Sequence, residues 1–181
     1  GKTHLAKDIV HKLREQGKIE ECIVFGHDAS EFNATASYQE YDKTVIATTM
    51  ETQIQAHKQK QTPKQTMIVF DDVLFDWNDK TLTTCLLNGR HYNISCIVAM
   101  QYPAPILPSI RANIDYVFLY KESIPSIQQK LYDHYAGVFP TIQCFTQHFN
   151  EITKEDYHTM VIDYRTTNGK FVNQIIKWYK A

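Results

Sequence analysis

The segment Met67–Phe70 constrains the fold of this chain more than any other feature. It is a run of four apolar residues, MIVF, and it ends in Asp71-Asp72. A strand with one face in water alternates apolar and polar side chains, whereas an unbroken apolar run fits a strand covered on both faces. The run therefore predicts a buried strand in a parallel sheet with helices on both sides.

Other short apolar runs predict further strands between helical patterns. The predicted strands are Cys22–Phe25, Thr44–Ala47, Cys96–Met100, Tyr116–Leu119, Met160–Ile162 and Val172–Trp178. The predicted helices are a first one after Thr3 with its stop signal at Gly17, then 50–60, Asp79–Asn88 and Thr141–Phe149. A further helix has Ser123 and Pro125 in its cap and first turn and Gly137 as its stop signal. This alternation is typical of an α/β protein with a mostly parallel central sheet flanked by helices.

Length and composition indicate one ordinary globular domain over residues 1–181. Apolar residues make up 43% of the chain and charged residues 22%, and no apolar run approaches the length of a membrane span. The four cysteines contain no CxxC pair, so we expect reduced thiols and a protein that is not secreted. A net charge of −1 argues against a globally basic nucleic-acid binder, but it permits a ring or channel with Lys and Arg on one surface.

The chain opens with Gly1-Lys2-Thr3, the last three residues of a GxxxxGK[ST] phosphate-binding loop. In such a loop the Lys binds the β and γ phosphates and the hydroxyl binds Mg²⁺. A GK[ST] triplet occurs by chance in about one chain in ten of this length, so an ordinary helix start is the alternative. Its position at a predicted helix N-terminus favours phosphate binding. We place Gly1, Lys2, Thr3 and His4 in the candidate nucleotide site.

The paired acids after the buried strand are the second candidate feature. A nucleoside triphosphatase needs one carboxylate near Mg²⁺ and often a second acid that polarises the attacking water. We assign Asp71 to the metal side, through water or through Thr3, and Asp72 to water activation. The alternative is a pair of acidic turn residues, which the upstream GKT makes less favourable.

A glutamine and two arginines complete the candidate site. Gln101 ends the strand after the acidic one, where an amide can contact the γ phosphate or position water. Arg90 precedes the same strand, so we expect it to act on the nucleotide of a neighbouring subunit as an arginine finger. Arg111 is the other finger candidate. For each arginine, a surface ion pair is the alternative.

These motifs together resemble a known family. The order GKT, IVFDD, GRHYNISCIVAMQYP, LPSIRANIDYVFLYK and WYKA is similar to the genome-packaging ATPases of large DNA viruses, the poxvirus-type branch of the FtsK/HerA superfamily. The resemblance implies a RecA-like P-loop core that binds ATP and Mg²⁺ and assembles into a hexameric ring. It further implies that ATP hydrolysis pumps double-stranded DNA into capsids, in a virion or a cytoplasmic viral factory.

The resemblance also assigns roles residue by residue. Lys2 and Thr3 match the phosphate loop, Asp71 and Asp72 the acidic strand end, Gln101 the family's glutamine, and Arg90 the arginine before that strand. Arg111 falls where relatives can carry a Lys, so the resemblance gives less support to its role. The family's first strand and the front half of its phosphate loop precede Gly1 in the pattern, and we therefore expect a fragment with impaired nucleotide binding.

Two rival functions remain at the level of sequence. One is a related FtsK/HerA-type motor or helicase that moves DNA for another purpose. The other is a catalytically incomplete fragment that acts as an interaction module. Two smaller expectations concern side chains outside the site: the eight histidines lack a metal-binding spacing, and the lysines at 58, 60 and 64 favour a solvated loop over a DNA-facing pore loop.

Overall fold

The computed structural model describes residues 1–26, 32–74, 76–103, 106–166 and 172–180. They form two compact units, an N-terminal unit of Lys2–Tyr102 and a C-terminal unit that comprises Pro103–Ala181 and Gly1. A single domain over residues 1–181 stays a prediction. Within the described ranges, no helix combines the length and the apolar character that crossing a bilayer requires.

The helices and strands alternate through the N-terminal unit. Its helices are α1 (Lys2–Glu15), α2 (Lys43–Lys58) and α3 (Lys80–Asn88), followed by a 3₁₀ helix at Gly89–Tyr92. Its strands are β1 (Glu21–Phe25), β2 (Ala36–Tyr38), β3 (Thr66–Asp71) and β4 (Ile94–Ala99). The C-terminal unit contains α4 (Pro108–Arg111), β5 (Tyr116–Tyr120), α5 (Pro125–Tyr135), α6 (Ile142–Ile152), β6 (His158–Asp163), α7 (Val172–Ile175) and β7 (Ile176–Lys180).

The N-terminal unit is built on a four-stranded parallel sheet with the order β2-β1-β3-β4. In its register Ile68 of β3 lies between Ile23 of β1 and Cys96 of β4. All six residues of β3 are buried. The central, doubly covered strand predicted from the MIVF run is therefore confirmed, and so is the mostly parallel α/β sheet.

Helices cover both faces of this sheet. α1 packs on one face through a cluster that includes Ala6, Val10, Cys22, Val24, Met67 and Val69. α2 and α3 pack on the other through a cluster that includes Ile46, Met50, Leu82, Cys85, Phe25, Ile68 and Phe70. Alternate side chains of β3 thus enter different clusters, as a strand buried on both faces requires.

The predicted strand Thr44–Ala47 is wrong, because these residues form the first turn of α2. Asp42 caps this helix, and its carboxylate accepts a hydrogen bond from the Thr44 amide at 2.8 Å. Ile46 and Met50 lie four residues apart and both are buried against the sheet. The cap and the helical spacing outweigh the strand preference of the β-branched residues.

The C-terminal unit has its own antiparallel sheet, in the order β5-β6-β7. The strands predicted near Tyr116 and Met160 exist, but they pair with each other and not with the parallel sheet. α5 and α6 pack on this sheet through a cluster that includes Leu119, Phe139, Phe145, Phe149, Met160 and Ile162. Among the described strands, the parallel arrangement therefore comprises β1 to β4.

The strand predicted at Val172–Trp178 is also partly wrong. Its first half forms the short helix α7, and β7 begins at Ile176. Ile175 and Ile176 both pack against the cluster of the C-terminal unit. Successive side chains of a strand face opposite sides, so the helical turn lets two consecutive isoleucines face the same core.

Candidate functional site

The candidate site lies where parallel strands β1, β3 and β4 end, which we call the carboxyl edge. Asp71 is the last residue of β3, Asp72 follows it, and Gln101 lies two residues beyond the end of β4. Ligands of parallel α/β sheets bind at this edge. The sheet thus brings Asp71, Asp72 and Gln101 to the edge where sequence reasoning predicted them.

Gly26, directly after β1, permits a close approach to Asp71. A Cβ atom built on Gly26 would lie 2.8 Å from the Asp71 carbonyl oxygen and 3.1 Å from the Asp71 Cβ. The φ angle of Gly26 is 151°, in a region that residues with a side chain rarely adopt. Sequence reasoning missed Gly26: a glycine directly after a predicted strand can mark a close approach, but which strand it approaches depends on the strand pairing.

Asp71 is 7% exposed, an unusual position for a carboxylate. Among the residues that the structure describes, no side chain or backbone group donates a hydrogen bond to its carboxylate. Neither of its oxygens is a fully buried atom without a partner, so the carboxylate keeps some access to solvent and can accept a cation. The surroundings of Asp71 therefore fit a metal-facing carboxylate.

Asp72 has a backbone conformation that directs its side chain towards Gln101. Its φ angle is 55°, in the left-handed region, which Asp tolerates better than most residues. Its amide donates to the Ala99 carbonyl oxygen at 3.1 Å, which extends the β3–β4 ladder by one residue. The Gln101 side-chain amide donates a hydrogen bond to the Asp72 carboxylate. Both side chains are exposed and thus accessible to a ligand.

The N-terminus of α1 lies at the carboxyl edge as well. α1 ends at the turn of Gly17, whose φ angle is 67°, and the chain then enters the start of β1. A helix connected in this way runs antiparallel to the strands, so its first residues lie at the edge where the strands end. Lys2 and Thr3 are half-buried in the first turn of α1, whereas Gly1 and His4 are exposed.

The oxygen ligands available at the carboxyl edge suit a hard divalent cation. Mg²⁺ prefers carboxylate, hydroxyl and water oxygens, and it needs one or two protein ligands beside phosphates. Thr3 and Asp71 supply these oxygen types. In the described part of the chain, no group of three or more His, Cys, Asp or Glu side chains could hold a metal ion by itself.

Aromatic rings form a layer beneath the carboxyl edge, a second feature that sequence reasoning missed. Phe25 and Phe70, at the ends of β1 and β3, stack with ring centroids 5.4 Å apart and planes 8° apart. Tyr41 packs against both rings. Burial, and then the nearby Asp79 carboxylate, raise the pKa of Tyr41 to about 12, so its hydroxyl is neutral at physiological pH.

Arg90 lies at the opposite edge of the same sheet. It belongs to the 3₁₀ helix that precedes β4, while Gln101 follows β4. The six-residue strand separates the two ends by about 20 Å. The structure thus does not bring Arg90 to the candidate site of its own chain, in line with the expectation that it acts elsewhere.

Arg111 belongs to the C-terminal unit, at the end of α4. Its Nη1 lies 2.8 Å from the Nδ1 of His134 in α5. A guanidinium has donors only, so the imidazole nitrogen accepts this hydrogen bond and the His134 proton resides on Nε2. Among the described residues, the partner of the Arg111 guanidinium is therefore the imidazole of His134.

Solved structures with the same fold are viral packaging enzymes. The genome packaging NTPase B204 from Sulfolobus turreted icosahedral virus 2, in complex with ATP-gammaS, superposes with a TM-score of 0.67 over 99% of this chain and 91% of B204. A crystal structure of B204, described as a DNA-packaging ATPase, has a TM-score of 0.66 with the same coverage. Sequence identity is 16% in both, so the likeness concerns the fold, and it confirms the predicted P-loop α/β class.

Relatives in sequence come from large DNA viruses. Uncharacterized protein 088R of Invertebrate iridescent virus 3 is 37% identical over 147 residues, which are 80% of this chain and 55% of that protein. Uncharacterized protein L437 of Acanthamoeba polyphaga mimivirus is 36% identical over 135 residues, 68% of this chain and 47% of that protein. The chain spans about half the length of these relatives.

A family comparison completes the assignment. The family described as Poxvirus A32 protein matches residues 28–136, more than half of the chain and a range that includes Asp71, Asp72, Arg90, Gln101 and Arg111. The resemblance identified from the motifs is thereby confirmed, and this chain belongs to the poxvirus A32 protein family.

Proposed function

We propose that this protein is an ATP-driven translocase that packages double-stranded viral DNA into capsids. The observation that carries the proposal is the carboxyl edge, where buried Asp71 lies beside an exposed Asp72 that is hydrogen-bonded to Gln101. Membership of the poxvirus A32 family supports it. The fold shared with B204, which was solved with ATP-gammaS and with AMPPCP, supports nucleotide binding.

Lys2, Thr3 and Asp71 would form the phosphate and metal part of the site. The α1 N-terminus presents unpaired backbone amides to an anion, and Lys2 adds a positive charge there. The Thr3 hydroxyl and the Asp71 carboxylate would hold Mg²⁺. A bound Mg²⁺ supplies charge neutralisation on the phosphates of ATP. Gly1 and His4 flank these residues and complete the nucleotide-binding set.

Asp72 and Gln101 would act on the attacking water. A carboxylate within hydrogen-bonding reach of water orients it and accepts a proton as the bond to phosphorus forms. The Gln101 amide fixes one carboxylate oxygen of Asp72 and leaves the other available. Gln101 would therefore act on the water indirectly, by orienting the Asp72 carboxylate.

Arg90 and Arg111 are the candidates for an arginine finger. An arginine supplied by a neighbouring subunit stabilises charge on the transferred phosphoryl group and couples hydrolysis to the subunit interface. The location of Arg90, at the edge opposite its own Asp72, supports action on a neighbour. The proposal therefore includes a homo-oligomeric, hexameric ring, with capsid components as partners, in a virion or a viral factory of the host cytoplasm.

DNA-stimulated ATP hydrolysis by the full-length protein tests this function. We expect double-stranded DNA to raise the rate of wild type and Asp72→Asn to lower kcat by about 100-fold or more with little change in ATP affinity. Asp76→Asn, an exposed acid in the same loop, is the matched control and should retain activity. Hydrolysis that neither responds to DNA nor depends on Asp72 would exclude this motor function.

A further inference from the structure

The last residue of α2 and the turn that follows it carry three exposed lysines, Lys58, Lys60 and Lys64. It closes α2 in a Schellman arrangement: the Lys60 amide donates to the His57 carbonyl at 3.1 Å, and the Gln61 amide donates to the Ala56 carbonyl at 2.9 Å. We call residues 58–65 the basic turn. Its position before β3 places it at the edge of the sheet opposite Asp72, about 20 Å away.

Lys60 occupies the position of this motif that favours glycine. Its φ angle is 58°, in the left-handed region, where a side chain is destabilising and glycine is not. The backbone of the turn would therefore be more stable with glycine at residue 60. A lysine at a strained, exposed position points to a use for its charge outside the fold.

Side chains from two other elements hold the basic turn in place. The Gln53 amide of α2 donates to the Lys64 carbonyl at 2.7 Å and to the Thr66 hydroxyl at 2.8 Å. The Asn93 amide, next to β4, donates to the Pro63 carbonyl at 2.9 Å. The lysines therefore project from a fixed backbone and not from a loosely solvated loop, which reduces the entropy that binding would cost.

The charge around the basic turn is predominantly positive. Among the described residues, none of its three lysines has an ion-pair partner. Arg90 and His91 belong to the 3₁₀ helix whose Tyr92 contacts His57, one residue before the basic turn, with ring centroids 5.8 Å apart. Two carboxylates oppose this charge: Glu20 accepts from the Gln65 amide at 2.8 Å, and Glu21 accepts from the Thr66 hydroxyl at 3.2 Å.

We propose that the basic turn binds the phosphate backbone of double-stranded DNA through Lys58, Lys60 and Lys64. This inference rests on the proposed function, which supplies the polyanion. Lysines act on phosphate as point charges and read no sequence, as a motor that moves along any sequence requires. Because nucleotide and DNA would then occupy opposite edges of the sheet, loss of the lysines should leave ATP binding unchanged.

The salt dependence of DNA binding tests the proposal. Fluorescence anisotropy with a labelled 30-base-pair duplex, at several salt concentrations and without nucleotide, would compare wild type with the Lys58→Gln/Lys60→Gln/Lys64→Gln variant. We expect binding weakened by about tenfold and a log–log salt slope that falls by about 0.9 for each lysine lost. Lys43→Gln, at the other end of α2, is the control and should lower the slope by less.

The Lys60→Gly variant distinguishes a role of Lys60 in DNA binding from a role in folding stability. Because residue 60 is left-handed, we expect glycine to raise the melting temperature by about 2–4 °C while DNA binding weakens by about threefold. A structural role for Lys60 cannot produce stabilisation together with weaker binding. If both variants keep the wild-type affinity and salt slope, the proposal that the basic turn binds DNA is wrong, and the proposed motor function is unaffected. If the wild-type protein binds no DNA, both the DNA-binding role of the basic turn and the proposed motor function are wrong.

Discussion

The amide of Gln101 donates a hydrogen bond to the carboxylate of Asp72, and this contact joins the end of β4 to the end of β3. The two residues are 29 positions apart in the chain but follow neighbouring parallel strands. Such a contact orients a carboxylate without burying it, so ligand access is retained. This hydrogen bond explains the glutamine at position 101 better than a role in ending β4 does.

Replacing Gln101 by leucine should impair catalysis more than folding. Loss of the amide frees the Asp72 carboxylate to rotate, so we expect kcat for ATP to fall by about tenfold or more with KM little changed. Both side chains are exposed, so the free energy of unfolding should change by less than about 0.5 kcal/mol. Steady-state kinetics and chemical denaturation measure the two effects.

The matched control is Gln129→Leu. Gln129 also donates to an aspartate, Asp133, at 2.8 Å, and the pair lies exposed on α5 of the C-terminal unit. Its loss should leave kcat at the wild-type value. Equal losses of activity in the two variants would show that Gln101 has no particular role at the carboxyl edge.

Gly26→Ala should destabilise the N-terminal unit and displace Asp71. The added methyl would lie 2.8 Å from the Asp71 carbonyl oxygen, a backbone atom that moves only with β3. We expect the free energy of unfolding to fall by about 2 kcal/mol or more and Mg²⁺-dependent nucleotide binding to weaken. Gly137→Ala, where nothing lies within 4 Å of the new atom, should stay close to wild type.

The stability of the protein should fall in alkali. Burial, with a contribution from Asp79, raises the pKa of Tyr41 from 10.0 to about 12, and burial raises that of Tyr135 to the same value. The unfolded chain ionises first, so stability is complete below pH 10 and is lost as the pH rises towards 12.

Chemical denaturation at a series of pH values would measure this loss. Tyr41→Phe and Tyr135→Phe should each flatten the decline between pH 10 and 12, while Tyr157→Phe, at a side chain that is 68% exposed, is the control. An alkaline decline that is equally steep in wild type and in both variants would contradict the assignment.

Lys177→Met should destabilise the C-terminal unit. Lys177 Nζ lies 2.6 Å from Asp163 Oδ2, and Asp163 is 5% exposed. Burial opposes ionisation of Asp163, but the hydrogen bonds from Lys177 and from the Arg165 amide outweigh it and lower the pKa. Without Lys177 the Asp163 carboxylate loses its cation, so we expect the free energy of unfolding to fall.

The pH dependence of this variant checks the cause. A lowered pKa contributes stability above the unfolded value of 3.8, and this contribution is lost as the pH falls below it. The difference in unfolding free energy between wild type and Lys177→Met should therefore be largest near neutrality and shrink in acid. Lys154→Met removes an exposed ion pair with Glu151 and should lower the free energy of unfolding by less than Lys177→Met does.

Much of the candidate site follows from local sequence. Asp71-Asp72 and Gln101 each directly follow an apolar run, and parallel strands end at a common edge, so their proximity could be predicted. The contributions of Gly26 and Tyr41 to the site were harder to predict from the sequence. Their contributions depend on which strand lies beside β3 and on the turn that returns the chain over Phe25 and Phe70, both of which are long-range features.

The sequence alone determined which segments are buried, because the spacing of apolar residues indicates which side chains face the core. The clearest case is the MIVF run of β3. Tertiary structure decided which segments pair and which conformation wins where local preferences conflict. The β-branched run at Thr44–Ala47 became helix through the Asp42 cap, and β5, β6 and β7 formed a separate antiparallel sheet. Strand partners and close approaches such as Gly26 to Asp71 depend on residues far apart in the chain, and no local pattern encodes them.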